Sequence, residues 1–177
     1  MKVLATITEQ DVSPAAPVID TANFSHRKAV RAVVLDDAGQ IALLHVSRKG
    51  YHKLPGGGID EGENMHAALE RELLEEIGCK ARLIAEVGEV REYRDEWQQY
   101  QESYCFLAKL EGDQKPSEFT EEEQGDGCEP IWAKSIDDAI AILEADIPNN
   151  YDGTRIKPRD IILLRAAKDI LASGVTI

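Results

Sequence analysis

Three consecutive glycines, Gly56, Gly57 and Gly58, stand shortly before a helix-patterned stretch whose end carries Glu72, Glu75 and Glu76. Glycine backbone reaches φ > 0 and lets a ligand approach closely. Asn64 reads as the N-cap of a helix running to about residue 77, and Gly78 as the residue that closes it. Met65, Leu69, Leu73 and Ile77 recur at i+4 and give a narrow apolar stripe for packing. Residues i, i+3 and i+4 share a helix face, so Glu72, Glu75 and Glu76 fall within an arc of roughly 100°. Each like-charge pair costs an isolated helix about 0.2–0.5 kcal/mol. Anions in a last turn also oppose the helix dipole by roughly 0.3–1 kcal/mol. A helix selected for stability alone carries Lys or Arg there. Arg71 offsets one charge, and a hard divalent cation offsets the rest, because carboxylate oxygens are its preferred donors. The plain alternative is a solvated acidic face. The glycine loop in front weighs against it.

The chain has 177 residues, ample for one domain with a real core and short for two. Residues 1–27 read as an N-terminal arm or leader strand, and 28–177 as a single domain. Segments 28–35 and 40–46 are β-rich and flank Asp36-Asp37-Ala38-Gly39, which predicts an antiparallel pair. Segments 82–94 and 102–110 read as strands with the polar stretch 95–101 between them. A long acidic loop is expected over 111–127 and a short strand over 130–134. Ser135 caps a helix to about residue 145, with Asp137 and Asp138 in its first turn. A last helix is expected over about 158–172. This order of elements predicts a layered α/β domain.

The charge balance is acidic, 33 Asp and Glu against 20 Lys and Arg, a net −13. Such a surface repels nucleic-acid polymers and anionic membranes. Small phosphorylated substrates remain open to it where a divalent metal neutralises them. The three cysteines, Cys79, Cys105 and Cys128, are odd in number and show no C-x-x-C spacing. Reduced thiols and a cytoplasmic location are the reading. No stretch approaches the roughly 20 apolar residues of a membrane span. The first 20 residues hold no continuous apolar run and read as neither signal nor anchor.

From Gly57 to Cys79 the chain resembles the box of the Nudix hydrolases, Gly-x5-Glu-x7-Arg-Glu-U-x-Glu-Glu-x-Gly-U, where U is bulky and apolar. Gly57, Glu63, Arg71, Glu72, Glu75, Glu76 and Gly78 meet every fixed position, and Leu73 fills the first apolar one. Cys79 fills the last, where the family more often has Ile, Leu or Val, a departure that touches packing rather than ligands. The box covers 23 of the 177 residues. Fixed residues at set spacing are far more specific than a lone glycine motif.

The resemblance implies an α/β/α sandwich with a mixed β-sheet and the box as a loop-helix-loop. It implies a MutT-like hydrolase of phosphorus-containing acid anhydrides. Glu72, Glu75 and Glu76 would supply oxygens to Mg²⁺ or Mn²⁺, and Gly57 its backbone carbonyl. Arg71 would orient a box carboxylate, and Glu63 and Gly78 would support the box. The substrate would be a small nucleotide, a nucleoside diphosphate linked to another moiety. Nucleoside triphosphates come first, then nucleotide sugars or dinucleoside polyphosphates. The rival from another class is a non-catalytic Nudix-fold nucleotide sensor. Relatives are often dimers, which carries over a homodimer by analogy alone.

Outside the box, Arg48, Lys49 and Lys53 are candidates for substrate phosphates. Trp97, and less so Tyr93 and Tyr100, are candidates for stacking on a base. Glu121, Glu122 and Glu123 are alternative candidates for the general base, against a simpler reading as a solvated loop. The four histidines form no spaced metal set.

Overall fold

A computed structural model describes residues 1–176. Its elements in chain order are β1 (Val3–Ile7), α1 (Glu9–Val12), β2 (Ser25–Leu35), β3 (Ile41–Val46), β4 (Tyr51–Lys53), α2 (Met65–Ile77) and β5 (Lys80–Arg94). A 3-10 turn, Asp95–Trp97, then leads to β6 (Gln99–Glu111), α3 (Glu121–Asp126), β7 (Cys128–Ala133), α4 (Ile136–Ala145) and α5 (Tyr151–Ala172). The strands form one mixed, open sheet in the order β1-β5-β6-β2-β3-β4, and β7 also pairs with β3. β1–β5 and β2–β6 are parallel, and the other pairs are antiparallel.

The sheet is covered on both faces, which explains why β2 reads as a near-continuous apolar run. Val30, Ala32 and Val34 pack against Ala68, Leu69, Leu73 and Ile77, the apolar stripe of α2. Val33 and Leu35 face the other way, toward Ala139 and Leu143 of α4 and Leu163, Leu164 and Ala167 of α5. The α/β/α layering follows from that two-sided burial.

The antiparallel pair expected of segments 28–35 and 40–46 is formed only at its turn. β2 meets β3 at Leu35 and Ile41, and then the two strands part. The glycine loop fills the gap. Val30 donates its N–H to the Gly57 carbonyl (2.9 Å), Ala32 to Pro55 (3.0 Å), and Ile59 to Lys28 (3.0 Å). The other edge of β2 runs in parallel register with β6 from Ser25 to Leu35. The loop therefore replaces a strand, and this holds the box against the sheet.

Other boundaries move. Residues 1–27 include the leader strand β1, which adds to the β5 edge, and β2 begins at Ser25. The acidic stretch 111–127 contains α3, where Thr120 and Glu123 form a capping box. The last helix starts at Tyr151, well before Pro158, which lies inside it. Asn150 caps it by accepting from the Gly153 N–H (3.2 Å), and its first turns are tethered by buried Arg155, which donates to the Thr8 carbonyl (2.9 Å) and pairs with Glu9. Those contacts outweigh the single helical donor that Pro158 lacks. The expected α2, with Asn64 as cap and Gly78 in the left-handed conformation, forms as read.

Candidate active site

A cavity of about 510 Å³ opens where β2 and β3 part. The glycine loop and α2 form one wall, with Glu72, Glu75, Glu76 and Arg71 facing it. Asn64 sets the start of α2 by accepting from the His66 and Ala67 N–H groups, both at 3.0 Å. At its other end, Gly78 is left-handed and packed so tightly that a Cβ would run into the Lys115 carbonyl. These two ends fix which way the helix face points.

Arg71 gathers the box. Its guanidinium donates to Glu63 (3.2 and 3.0 Å), to Glu72 (2.8 Å), to Glu75 (3.4 Å) and to the Gly58 carbonyl (3.0 Å). Its pKa is raised, first by the Glu63 hydrogen bonds and then by Glu72, and the same contact lowers Glu63. Glu76 is buried and accepts from Lys53 Nζ (2.9 Å) and the Gly56 N–H (2.5 Å). Burial raises the Glu76 pKa, while Lys53 and Gly56 pull the other way. Lys53 is itself raised, because Glu76 outweighs its own loss of solvent. Gly57 packs so close to Glu72 that a Cβ would collide with the carboxylate. The Gly57 carbonyl already accepts from Val30, which leaves it one lone pair for any cation.

The remaining candidates divide. Lys53 and Trp97 line the cavity. Arg48 does not: it is exposed, and its backbone is held by Asp126 and Asn149. The neighbouring candidate Lys49 does line it, paired with Asp126 at 2.5 Å. The strand ends at Val46, and the turn that follows sends successive side chains in different directions. Glu122 and Glu123 line the cavity and Glu121 does not, because α3 turns them to different sides. Glu123 lies 3.8 Å from Lys53. Tyr93 and Tyr100 pack on each other across β5 and β6, away from the cavity. His66 packs on Phe106.

Sequence reading missed a basic floor. Arg27 and Arg31 from β2, Arg94 from β5 and Arg159 from α5 all face the cavity. The available signal was Arg31 amid Ala-Val-Arg-Ala-Val-Val-Leu, a cation inside an apolar strand.

The family profile described as NUDIX domain matches residues 25–143, and the chain belongs to that family. A Bacillus subtilis (strain 168) protein, provisionally named an 8-oxo-dGTP diphosphatase, is 35% identical over 89 residues, 50% of this chain and 57% of that one. An RNA pyrophosphohydrolase of Novosphingobium aromaticivorans is 50% identical over 40 residues, 23% of this chain and 25% of its own length. This chain spans little more than half of the first relative and a quarter of the second. The solution structure of the E. coli ORF135 protein superposes with a TM-score of 0.62, covering 92% of this chain and 100% of that one. At 20% identity that likeness speaks to the fold alone.

Proposed function

We propose that this protein hydrolyses a phosphoanhydride bond in a nucleoside diphosphate linked to another moiety, with nucleoside triphosphates first among its substrates. The observation that carries the reading is a cavity whose one wall is the box helix with Glu72, Glu75 and Glu76 and whose floor is basic. The intact set of box carboxylates favours hydrolysis over a sensor that only binds.

Family members generally use divalent metal ions. The donor chemistry here fits one, since three carboxylates on one helix face offer hard oxygens. Among the described residues no three acidic side chains yet converge. Glu76 is turned to Lys53 and Gly56, and Glu72 and Glu75 to Arg71. Those cations hold the carboxylates in place and would give way as ligands reorient. Glu72 and Glu76 are the principal ligands in this proposal, with Glu75 beside them. Mg²⁺ is the expected ion, and Mn²⁺ accepts the same oxygens. When bound, such an ion neutralises the diphosphate and acidifies a water.

The chain's own residues do the rest. Arg71 fixes the rotamers of Glu72 and Glu75 through donors on one rigid fork. The glycine loop brings backbone to the substrate without side chains in the way. Glu122 and Glu123, which line the cavity, are the candidates to take a proton from the attacking water. Trp97, which lines the cavity and is partly exposed, is the candidate for stacking on a base; Arg94 already lies over its ring at 5.3 Å.

The test is a turnover panel of canonical and oxidised nucleoside triphosphates, ADP-ribose, a nucleotide sugar, a dinucleoside polyphosphate and 5′-triphosphorylated RNA. Each is run with Mg²⁺ and with chelator, and products are separated. Metal-dependent cleavage of at least one nucleotide class is expected. Tight nucleotide binding with no cleavage across the panel would replace the hydrolase reading with the sensor.

A further inference from the structure

Four arginines meet beneath the glycine loop, in the same cavity as the box carboxylates. Arg27 and Arg31 lie four residues apart on β2 and so share a face of the strand. Arg94 ends β5, and Arg159 reaches in from α5. The Arg27 guanidinium sits directly against Gly58. Arg159, Arg94 and Arg31 are 0%, 3% and 6% exposed. All four line the cavity.

Buried cations demand partners, and here the partners run out. Arg94 is paired with Glu92 (3.1 Å) and Asp152 (3.6 Å). Arg159 is paired with Asp160 (2.7 Å) and lies 3.6 Å from Glu92. Those carboxylates have other donors to serve. Asp160 accepts from the Leu54 N–H (2.8 Å), and Glu92 from Gln101 (2.8 Å) and Ser103 (3.3 Å). Arg31 donates only to the Val30 carbonyl (2.8 Å) and Arg27 to the Gln101 amide oxygen (2.5 Å), so among the described residues neither has a carboxylate within ion-pair distance, and the four guanidiniums stand against three carboxylates. Both terminal nitrogens of Arg159, together with Nε of Arg94 and Nε of Arg31, are buried without a hydrogen-bond partner. Burial, with Arg159 and Arg27 close by, lowers the Arg31 pKa to about 9, the mark of cations crowded together out of water.

A bound oxyanion resolves both deficits at once. Guanidinium forks aimed at one space match the several oxygens of a phosphoryl group better than a single carboxylate. We propose that Arg27, Arg31, Arg94 and Arg159 form an anion subsite that holds a phosphoryl group of the substrate outside the pair bound at the carboxylates. The assignment rests on the hydrolase reading of the same cavity, and it narrows the substrate class. The favoured substrate carries a chain of three or more phosphoryl groups. A nucleoside diphosphate ending in a neutral sugar leaves the arginines uncompensated. The triphosphate chain has two sources, a free nucleotide or the 5′ end of an RNA.

The test separates binding from catalysis. Inorganic tripolyphosphate is titrated calorimetrically into the protein in chelator, so that no metal contributes. Wild type is compared with Arg94→Gln and with Arg27→Gln; Arg27 is only partly buried, so its loss spares the core if Arg94→Gln fails to fold. Binding that weakens tenfold or more in the folded variants, and weakens with salt, is the expected result. Absent metal-free binding, or equal binding by folded variants, overturns the subsite. With metal present, Arg27→Gln should lower kcat/KM tenfold or more for a nucleoside triphosphate and by a distinctly smaller factor for ADP-ribose. Equal loss on both substrates also overturns it. Running free triphosphate beside 5′-triphosphorylated RNA then tells the two sources apart. Tripolyphosphate binding without turnover of any substrate would keep the subsite and remove the hydrolase reading.

Discussion

Arg71 carries more of the site than any one glutamate does. It contacts Glu63, Glu72, Glu75 and the Gly58 carbonyl at once, and it is partly open to solvent. Removing it leaves the core intact and lets three carboxylates drift. Arg71→Ala should therefore cost about 10–100-fold in activity or metal affinity. A metal titration of turnover reads this, with thermal unfolding shifted little. A second residue contributes to the acid limb of stability. Glu92 is fully buried; burial alone would raise its pKa, but Arg159 and Arg94 outweigh burial and hold it below 4.5. A depressed carboxylate contributes stability that is present above its unfolded pKa and lost as pH falls through its folded one. Denaturant midpoints should fall as pH drops below about 4.5, and this limb should flatten in Glu92→Gln. That variant should also lose about 3–5 kcal/mol near neutral pH, because buried arginines are left unpaired. Of these residues, Arg71 was legible from its place in the box, and Arg31 left the signal of a cation inside an apolar strand. Glu92, Arg27, Arg94 and Arg159 were not legible, since their meaning comes from contacts between β2, β5 and α5 that no local pattern encodes.

At the scale of elements, the glycine loop does what a strand would. It takes hydrogen bonds from Val30 and Ala32 along an edge that β3 leaves free. Gly56 and Gly57 serve it differently. Gly56 has φ +128°, and a Cβ there would press on the Val30 carbonyl and on Arg31 Cα. Gly56→Ala should cost about 1–3 kcal/mol in denaturant unfolding. A Cβ on Gly57 meets the Glu72 carboxylate instead, so Gly57→Ala should lose activity with a smaller loss of stability. Equal stability losses in the two variants would contradict this division. The caps of α2 and α4 were legible because Asn64 and Ser135 act within a few residues of themselves. The start of α5 was not, because Pro158 is a strong local signal and the tethers that override it, Arg155 to Thr8 and Glu9, span most of the chain. The splaying of β2 from β3 was hidden for the same reason: the turn Asp36–Gly39 looks the same whether the strands beyond it stay paired or part.

For the whole molecule, the net charge of −13 and the cationic floor of the cavity are complementary facts. An acidic exterior disfavours loose binding of polyanions, and the proposed arginine subsite would restrict anion capture to one place. Composition revealed the exterior and concealed the interior, since a charge count cannot say which arginines are buried. Among the described residues no helix is long and apolar enough to cross a membrane. The β1 arm, α5 and the sheet meet around Arg155, Glu9 and Tyr151, so the frame behind the cavity is tied from both ends of the chain. In the proposed function the box carboxylates work through a divalent ion to hydrolyse a nucleotide anhydride. The most direct measurement is the hydrolysis rate of a nucleoside triphosphate against Mg²⁺ concentration, in wild type and in folded Glu76→Gln. Turnover should saturate with metal, vanish in chelator and fall about 100-fold or more in the variant. Turnover that persists in chelator, or that Glu76→Gln leaves unchanged, would contradict it.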